Sequence, residues 1–160
     1  MKSTGEVMGF DSNFGMAFAK SQIASGNLLP TSGLAFLSVK KGHRKEIIGF
    51  AKKLISLGFS LCGTRGTARE IIKNGMKCKE INKVKQGSPH IVDILNSKKI
   101  DLVVNTSDGL TSTQDSFSLR RATLINNVPY CTNMSTAIAC LEGIKALKSK
   151  KLKVKSLQEV

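Results

Sequence analysis

Four short stretches combine hydroxyl side chains, glycine and cations, the residue types that hold a phosphate ester. They are Ser38 with Lys40, Lys41, Gly42 and Arg44; Thr64-Arg65-Gly66-Thr67; Asn82-Lys83; and Asn105-Thr106-Ser107-Asp108-Gly109. In the second stretch, Gly63 and Gly66 let backbone N–H groups approach an anion without a side chain in the way. A helix that follows at once adds free amide donors and the positive end of its dipole. The hydroxyls of Thr64 and Thr67 add donors, and Lys83 and Arg44 supply charge. The same glycine-threonine turn is also plain capping chemistry, with a threonine as N-cap. In the fourth stretch an Asn and two hydroxyls can read ribose or base edges, or form an Asx-type turn ending in Gly109.

Residues for covalent or acid–base chemistry are sparse. His43 and His90 are the two histidines, neither has a cysteine beside it, and Asp93, Asp101, Asp108 and Asp115 are scattered singly. His90 precedes a helix and reads as a structural donor or an interface residue rather than a general base. No GxxxxGK[ST] occurs, and the Gly63-to-Ala68 run lacks the third glycine and the distant acid of a dinucleotide fingerprint. Cys62, Cys78, Cys131 and Cys140 form no CxxC pair, so no zinc site is expected. The expectation is a binding site with no catalytic residue and no metal.

Alternating elements must position these stretches. Gly33–Val39 reads as a strand, and Ile47, Ile48, Ala51, Leu54 and Ile55 recur at helical spacing up to Gly58. Phe59–Cys62 is a second strand, followed by a helix through Ile71 and Ile72. Lys79–Ile81 is a strand, Ile91–Leu95 a helix, and Ile100–Val104 a buried strand. Ser116–Ile125 is helical, Val128–Cys131 a last short strand, and Ser135–Leu147 a closing helix. This order predicts an α/β fold of three layers, with a mostly parallel, roughly five-stranded sheet and helices on both faces. Ligands of such sheets bind beyond the carboxyl ends of the strands, where the four stretches fall. Residues 1–30 read as a lead-in from an upstream segment plus a helix around Phe14, Ala17, Phe18 and Ile23, and residues 31–160 as the domain itself.

A length of 160 residues suits one domain with a real core, and 41% hydrophobic with 22% charged residues suits a soluble one. Aromatic residues make up only 5%, so aliphatic side chains must fill that core. The apolar runs are too short for a membrane span, and the N-terminus is polar where a signal peptide is apolar. Four thiols without a disulfide pattern suggest the reducing cytoplasm. A net charge of +14 invites a nucleic-acid partner. The lysines of the tail (Lys145, Lys148, Lys150, Lys151, Lys153, Lys155) have no aromatic residues among them to stack bases. A solvated face, or docking onto an acidic neighbouring domain, is the expectation.

At these residues the chain resembles the C-terminal regulatory domain of carbamoyl-phosphate synthase large subunits, a methylglyoxal-synthase-like, Rossmann-like module. The similarity is carried by Met1-Lys2-Ser3-Thr4-Gly5-Glu6-Val7-Met8-Gly9, Ala17–Gln22, Phe36–Val39, Gly66-Thr67-Ala68, Val84 through Asp93, Val104-Asn105-Thr106 and Arg120-Arg121. The nonapeptide is similar to the segment that closes the second synthetase unit just before that domain. The resemblance implies an allosteric domain that binds a nucleotide monophosphate, UMP or IMP, with ornithine acting at its boundary. It implies no chemistry within the domain. The whole enzyme would be an ATP-dependent, magnesium- and potassium-using ligase serving pyrimidine and arginine biosynthesis. The implied partners are the preceding synthetase domains, a glutaminase small subunit and, through self-association, further copies.

By matched position, the resemblance assigns the effector phosphate to Ser38, Arg44, Thr64, Gly66, Thr67 and Lys83. It assigns the nucleoside to Asn105, Thr106 and Ser107, and places Thr132 near the ornithine site. Arg44 stands where the family carries lysine, which replaces a compact ammonium by a planar fork. Two other readings compete: a phosphate-ester enzyme of methylglyoxal synthase type, and a basic nucleic-acid module. The first needs an aspartate base where this chain has Ser88, and without it the substrate proton has no acceptor.

Overall fold

The computed structural model describes residues 2–3, 6–82, 87–88, 90–106, 113–154 and 156, with residues 2–3 and 113–116 described by their backbone. The elements in chain order are β1 (Lys2–Ser3), β2 (Glu6–Val7), α1 (Phe14–Ala24), β3 (Gly33–Val39) and α2 (Arg44–Ser56), which a single 3-10 turn at Lys41–His43 leads into. Then come β4 (Phe59–Thr64), α3 (Arg65–Lys73), β5 (Lys79–Ile81), α4 (Ile91–Asn96), β6 (Leu102–Thr106), α5 (Thr113–Ile125), β7 (Tyr130–Cys131) and α6 (Met134–Ser149). β1 and β2 form a small antiparallel pair, and the other five strands form one all-parallel sheet in the order β5-β4-β3-β6-β7.

Alternation along each strand divides the core in two. Ala35, Leu37 and Val39 of β3, Phe59 and Leu61 of β4, and Leu102 and Val104 of β6 face α1, α2 and α6. Phe36, Cys62 and Val103 point to the other face, against Ile91 and Leu95 of α4 and Leu119 and Ala122 of α5. The expected three-layer α/β sandwich is therefore the observed one. Helix α2 shows the cause plainly: Ile47, Phe50, Ala51 and Leu54 lie on one stripe and are buried. Each fully buried Leu or Ile contributes about 2 kcal/mol relative to exposure. The helix ends at Leu57 and Gly58, whose φ of 88° turns the chain into β4.

Helices α1 and α6 pack closely because glycine removes side chains from their contact. A Cβ at Gly143 of α6 would stand 3.3 Å from Phe18 Cδ1 of α1, and one at Gly15 of α1 would run into the Glu142 carbonyl of α6. At the amino end of the sheet, Lys148 Nζ donates to Leu57 O (2.6 Å) and Thr31 O (3.1 Å), bracing α6 against the starts of β3 and β4.

Two boundaries differ from the sequence reading. β4 does not stop at Cys62; Gly63 pairs with Leu37, so the strand runs through Thr64 straight into α3. β6 spans Leu102–Thr106 rather than Ile100–Val104, because Asn105 and Thr106 pair with Ser38 and Val39. Residues read from their polarity as loop are thus strand ends.

Candidate functional site

The parallel register sets one row of polar side chains across the carboxyl end of the sheet. Ser38 of β3 lies opposite Asn105 of β6, and the Leu37–Gly63 pairing brings Ser38 beside Thr64 of β4. Thr64 Oγ1 is 3.4 Å from both Ser38 Oγ and Thr67 Oγ1, and its single proton serves one of them at a time. Thr64, Thr67, Asn105 and Thr106 are all buried, so the row is built into the fold.

Two of these hydroxyls hold the backbone. Thr67 Oγ1 accepts Val39 N–H at 3.1 Å, and Thr106 Oγ1 accepts Lys40 N–H at 3.2 Å. Both donors lie where β3 leaves the sheet, so Thr67 and Thr106 fix the chain that leads to Arg44. Each hydroxyl keeps its own proton to give.

The start of α3, like that of α2, carries no side-chain cap. Asn13 caps α1 by accepting Met16 N–H at 3.2 Å, and Asn133 caps α6 by accepting Thr136 N–H at 2.8 Å. Thr64, at the corresponding position of α3, makes no side-chain cap. The first-turn amides of α3 therefore keep their donors and the positive end of the helix dipole. Over this turn lies Arg44, placed by the first turn of α2. Its Nη2 is so close to Gly66 that a Cβ there would stand 2.7 Å away. The Nε of Arg44 is buried and has no hydrogen-bond partner among the described residues. Such an orphaned donor on a charged group is costly unless an anion completes it. Arg65 does not join this cluster, since its Nε lies 3.5 Å from Glu80 Oε1 on β5.

At the other end of the row, Asn105 Nδ2 donates to Tyr130 Oη on β7 at 3.0 Å. The Arg120 guanidinium lies over the Tyr130 ring, 5.9 Å from its centre. Neither Tyr130 nor Arg120 was assigned a role by residue chemistry. The signal available was Tyr130 itself, the one tyrosine of the chain, placed at a strand end. Thr132 is exposed just past β7, beyond Asn105 as seen from Thr64. Lys83 and Ser107 lie outside the described residues, as does Asp108.

The structure thus brings together Ser38, Arg44, Thr64, Gly66, Thr67, Asn105 and Thr106. The group can receive an anion at α3 and a polar body extending toward β7. Ser88, His90 and Asp93 form a separate arrangement before α4. The Asp93 carboxylate accepts Ser88 Oγ–H at 2.8 Å and His90 N–H at 2.9 Å, and lies 3.4 Å from His90 Nδ1. The His90 backbone and Ser88 hydroxyl bonds hold the Asp93 carboxyl below its usual value, as suits a helix cap.

Comparison with known proteins agrees with this fold. The family model described as MGS-like domain matches residues 46–132. The carbamoyl phosphate synthase large chain of Mesorhizobium japonicum is 48% identical over 159 residues, which is 99% of this chain and 14% of that protein. The carbamoyl phosphate synthase large chain, C-terminal section, of Methanopyrus kandleri is 42% identical over 161 residues, 100% of this chain and 30% of that one. The chain therefore spans less than a third of the length of these relatives. Among solved structures, methylglyoxal synthase from Elizabethkingia anophelis shares the fold, with a TM-score of 0.57 and 17% identity over 71% of this chain and 79% of that one.

Proposed function

The chain belongs to the MGS-like domain family, and from that premise we propose that it is the effector-binding regulatory unit of a carbamoyl phosphate synthase large chain. Its ligand is a nucleotide monophosphate, UMP or IMP. The observation that carries this reading is the uncapped start of α3 beneath Arg44, whose buried Nε lacks a partner among the described residues. A phosphate monoester supplies what both are missing: three acceptor oxygens and negative charge.

In this reading the phosphate lies against the α3 amides, with Ser38, Thr64 and Thr67 hydroxyls and the Arg44 fork around it. Lys83 adds a second cation. The nucleoside extends along the row toward Asn105, Thr106 and Ser107. Ornithine acts near Thr132, at the boundary with the synthetase domain. The unit carries out no bond-making itself. It biases ATP-, magnesium- and potassium-dependent synthesis in the preceding domains, which receive ammonia from a glutaminase small subunit in the cytoplasm for pyrimidine and arginine formation. Such coupling is reciprocal, so the effector must bind one conformation of the large chain better than another.

The test is isothermal titration of this chain with UMP and with IMP, with inorganic phosphate as control. Saturable micromolar binding of one nucleotide, lost in Thr64→Ala or Lys83→Ala, is expected. Silence with both nucleotides and with phosphate overturns the reading.

A further inference from the structure

Cys131, the last residue of β7, and Cys140 of α6 bring their sulfurs to 3.5 Å across the seam between sheet and helix. Both thiols are free and buried, in the cluster that also holds Met134, Ala137 and Leu141. They stand nine positions apart, and the chain between them carries the exposed Thr132 and the Asn133 cap of α6. Bonded sulfurs lie about 2.05 Å apart, so this pair is about 1.5 Å short of a disulfide.

The pair is chemically suited to closing that gap. The thiolate is the reactive form of cysteine, and a neighbouring S–H stabilises it. Cys131 donates to Cys140 here and lowers the Cys140 thiol. The opposite donation serves equally, since one thiolate beside one thiol is all the chemistry needs. Access comes from β7, which is two residues long and pairs with β6 at the edge of the sheet. A strand held so lightly opens locally while the rest of the fold stays closed. Opening of that kind admits hydrogen peroxide, whereas bulkier alkylating reagents await unfolding.

We propose that Cys131 and Cys140 form a redox pair, converted by a peroxide into an intrachain disulfide that locks the end of β7 onto α6. One sulfur attacks the peroxide, the O–O bond breaks and a sulfenic acid forms, while the thiol proton leaves with the released hydroxide as water. The second sulfur then attacks the first, the S–O bond breaks, and the second thiol proton departs with that oxygen as water. The two sulfurs lose two electrons and the peroxide gains them. An excess of a small thiol reverses the bond by exchange. The bond encloses Thr132 and the first turn of α6, and it fastens Tyr130, the neighbour of Cys131, in its place beside Asn105. This inference stands independently of the nucleotide reading.

The experiment treats the folded, unmodified chain with hydrogen peroxide and then with dithiothreitol. Tyr130 is the one tyrosine and the chain has no tryptophan, so ultraviolet emission reports on this spot, where an adjacent disulfide quenches it. Peroxide is expected to remove two hydrogens by mass, to link the Cys131 and Cys140 peptides, and to lower the Tyr130 emission. Dithiothreitol should reverse all three changes. Hydrogen exchange at residues 131–136 should slow in the oxidised form. Cys131→Ala and Cys140→Ala should each abolish the link and leave the emission unchanged by peroxide. A bond that engages Cys62 or Cys78 instead, a sulfinic acid at Cys140 without a bond, or a link that forms only in urea overturns the proposal. So does a link that leaves exchange at residues 131–136 unchanged, since it would lock nothing. The deciding measurements use the unmodified chain, so a variant that fails to fold does not shelter the proposal.

Discussion

The guanidinium of Arg44 occupies the space beside Gly66, where a Cβ would stand 2.7 Å from Nη2 and would have to displace it. Replacing Gly66 with alanine must push Arg44 aside while leaving the hydrophobic core untouched. We expect Gly66→Ala and Arg44→Ala each to weaken nucleotide binding about tenfold or more, the scale of one lost charge-assisted hydrogen bond. Arg44→Lys should recover only part, because an ammonium cannot present the same fork. Calorimetric titration of the three variants checks this.

Thr67 supports the fold as well as the site. Its hydroxyl oxygen accepts Val39 N–H at 3.1 Å with the residue only 1% exposed. Thr67→Val keeps the shape and strands that amide, at an expected cost of about 1–3 kcal/mol. Urea unfolding should show a lower midpoint with an unchanged slope. A variant that lost binding with full stability would contradict this account of Thr67.

Asp93 gives stability a definite dependence on pH. Its folded value lies below the ordinary 3.8, through the His90 amide and the Ser88 hydroxyl. A carboxyl of lowered value stabilises the fold fully above about pH 4, and that contribution disappears as pH falls through the folded value. Asp93→Asn should therefore melt below the unmodified chain at pH 7. Scanning calorimetry should find the two curves converging as pH falls below about 4 and through the lowered folded value.

The cysteines should differ sharply in reactivity. Burial pushes the Cys62 thiol up to about 12 and the partly exposed Cys78 to about 11. Both are protonated at pH 8, and the thiolate is the reactive form. Cys78 is expected to be alkylated by iodoacetamide much more slowly than a free thiol, because burial keeps it protonated. Cys62, Cys131 and Cys140, all buried, should follow only on unfolding. Peptide mass mapping over time reads this order directly.

The layers of the fold were legible because they depend on local pattern. Gly33–Val39 and Lys79–Ile81 are strands at the limits read from the sequence. Gly63, Thr64, Asn105 and Thr106 read as loop because their strand character comes from Leu37, Ile81, Ser38 and Val39, partners distant in sequence. The same reason separates what was visible of the site from what was not. Ser38, Thr64 and Asn105 were marked by residue type at strand ends, and register set them in one row. That Thr67 and Thr106 would clasp the backbone of Val39 and Lys40, or that Tyr130 would bind Asn105, depended on contacts that no local pattern encodes.

The outermost strands of the sheet are brief, three residues in β5 and two in β7. A margin that short offers an incoming chain only a bond or two before the ladder ends, too little to seed stacking of one molecule on the next. The protein can therefore keep its long, apolar central strands without their becoming a template for fibres. Protection against aggregation is achieved by where the strands stop, together with the exposed Lys79 and Glu80 on β5 and Pro129 just before β7.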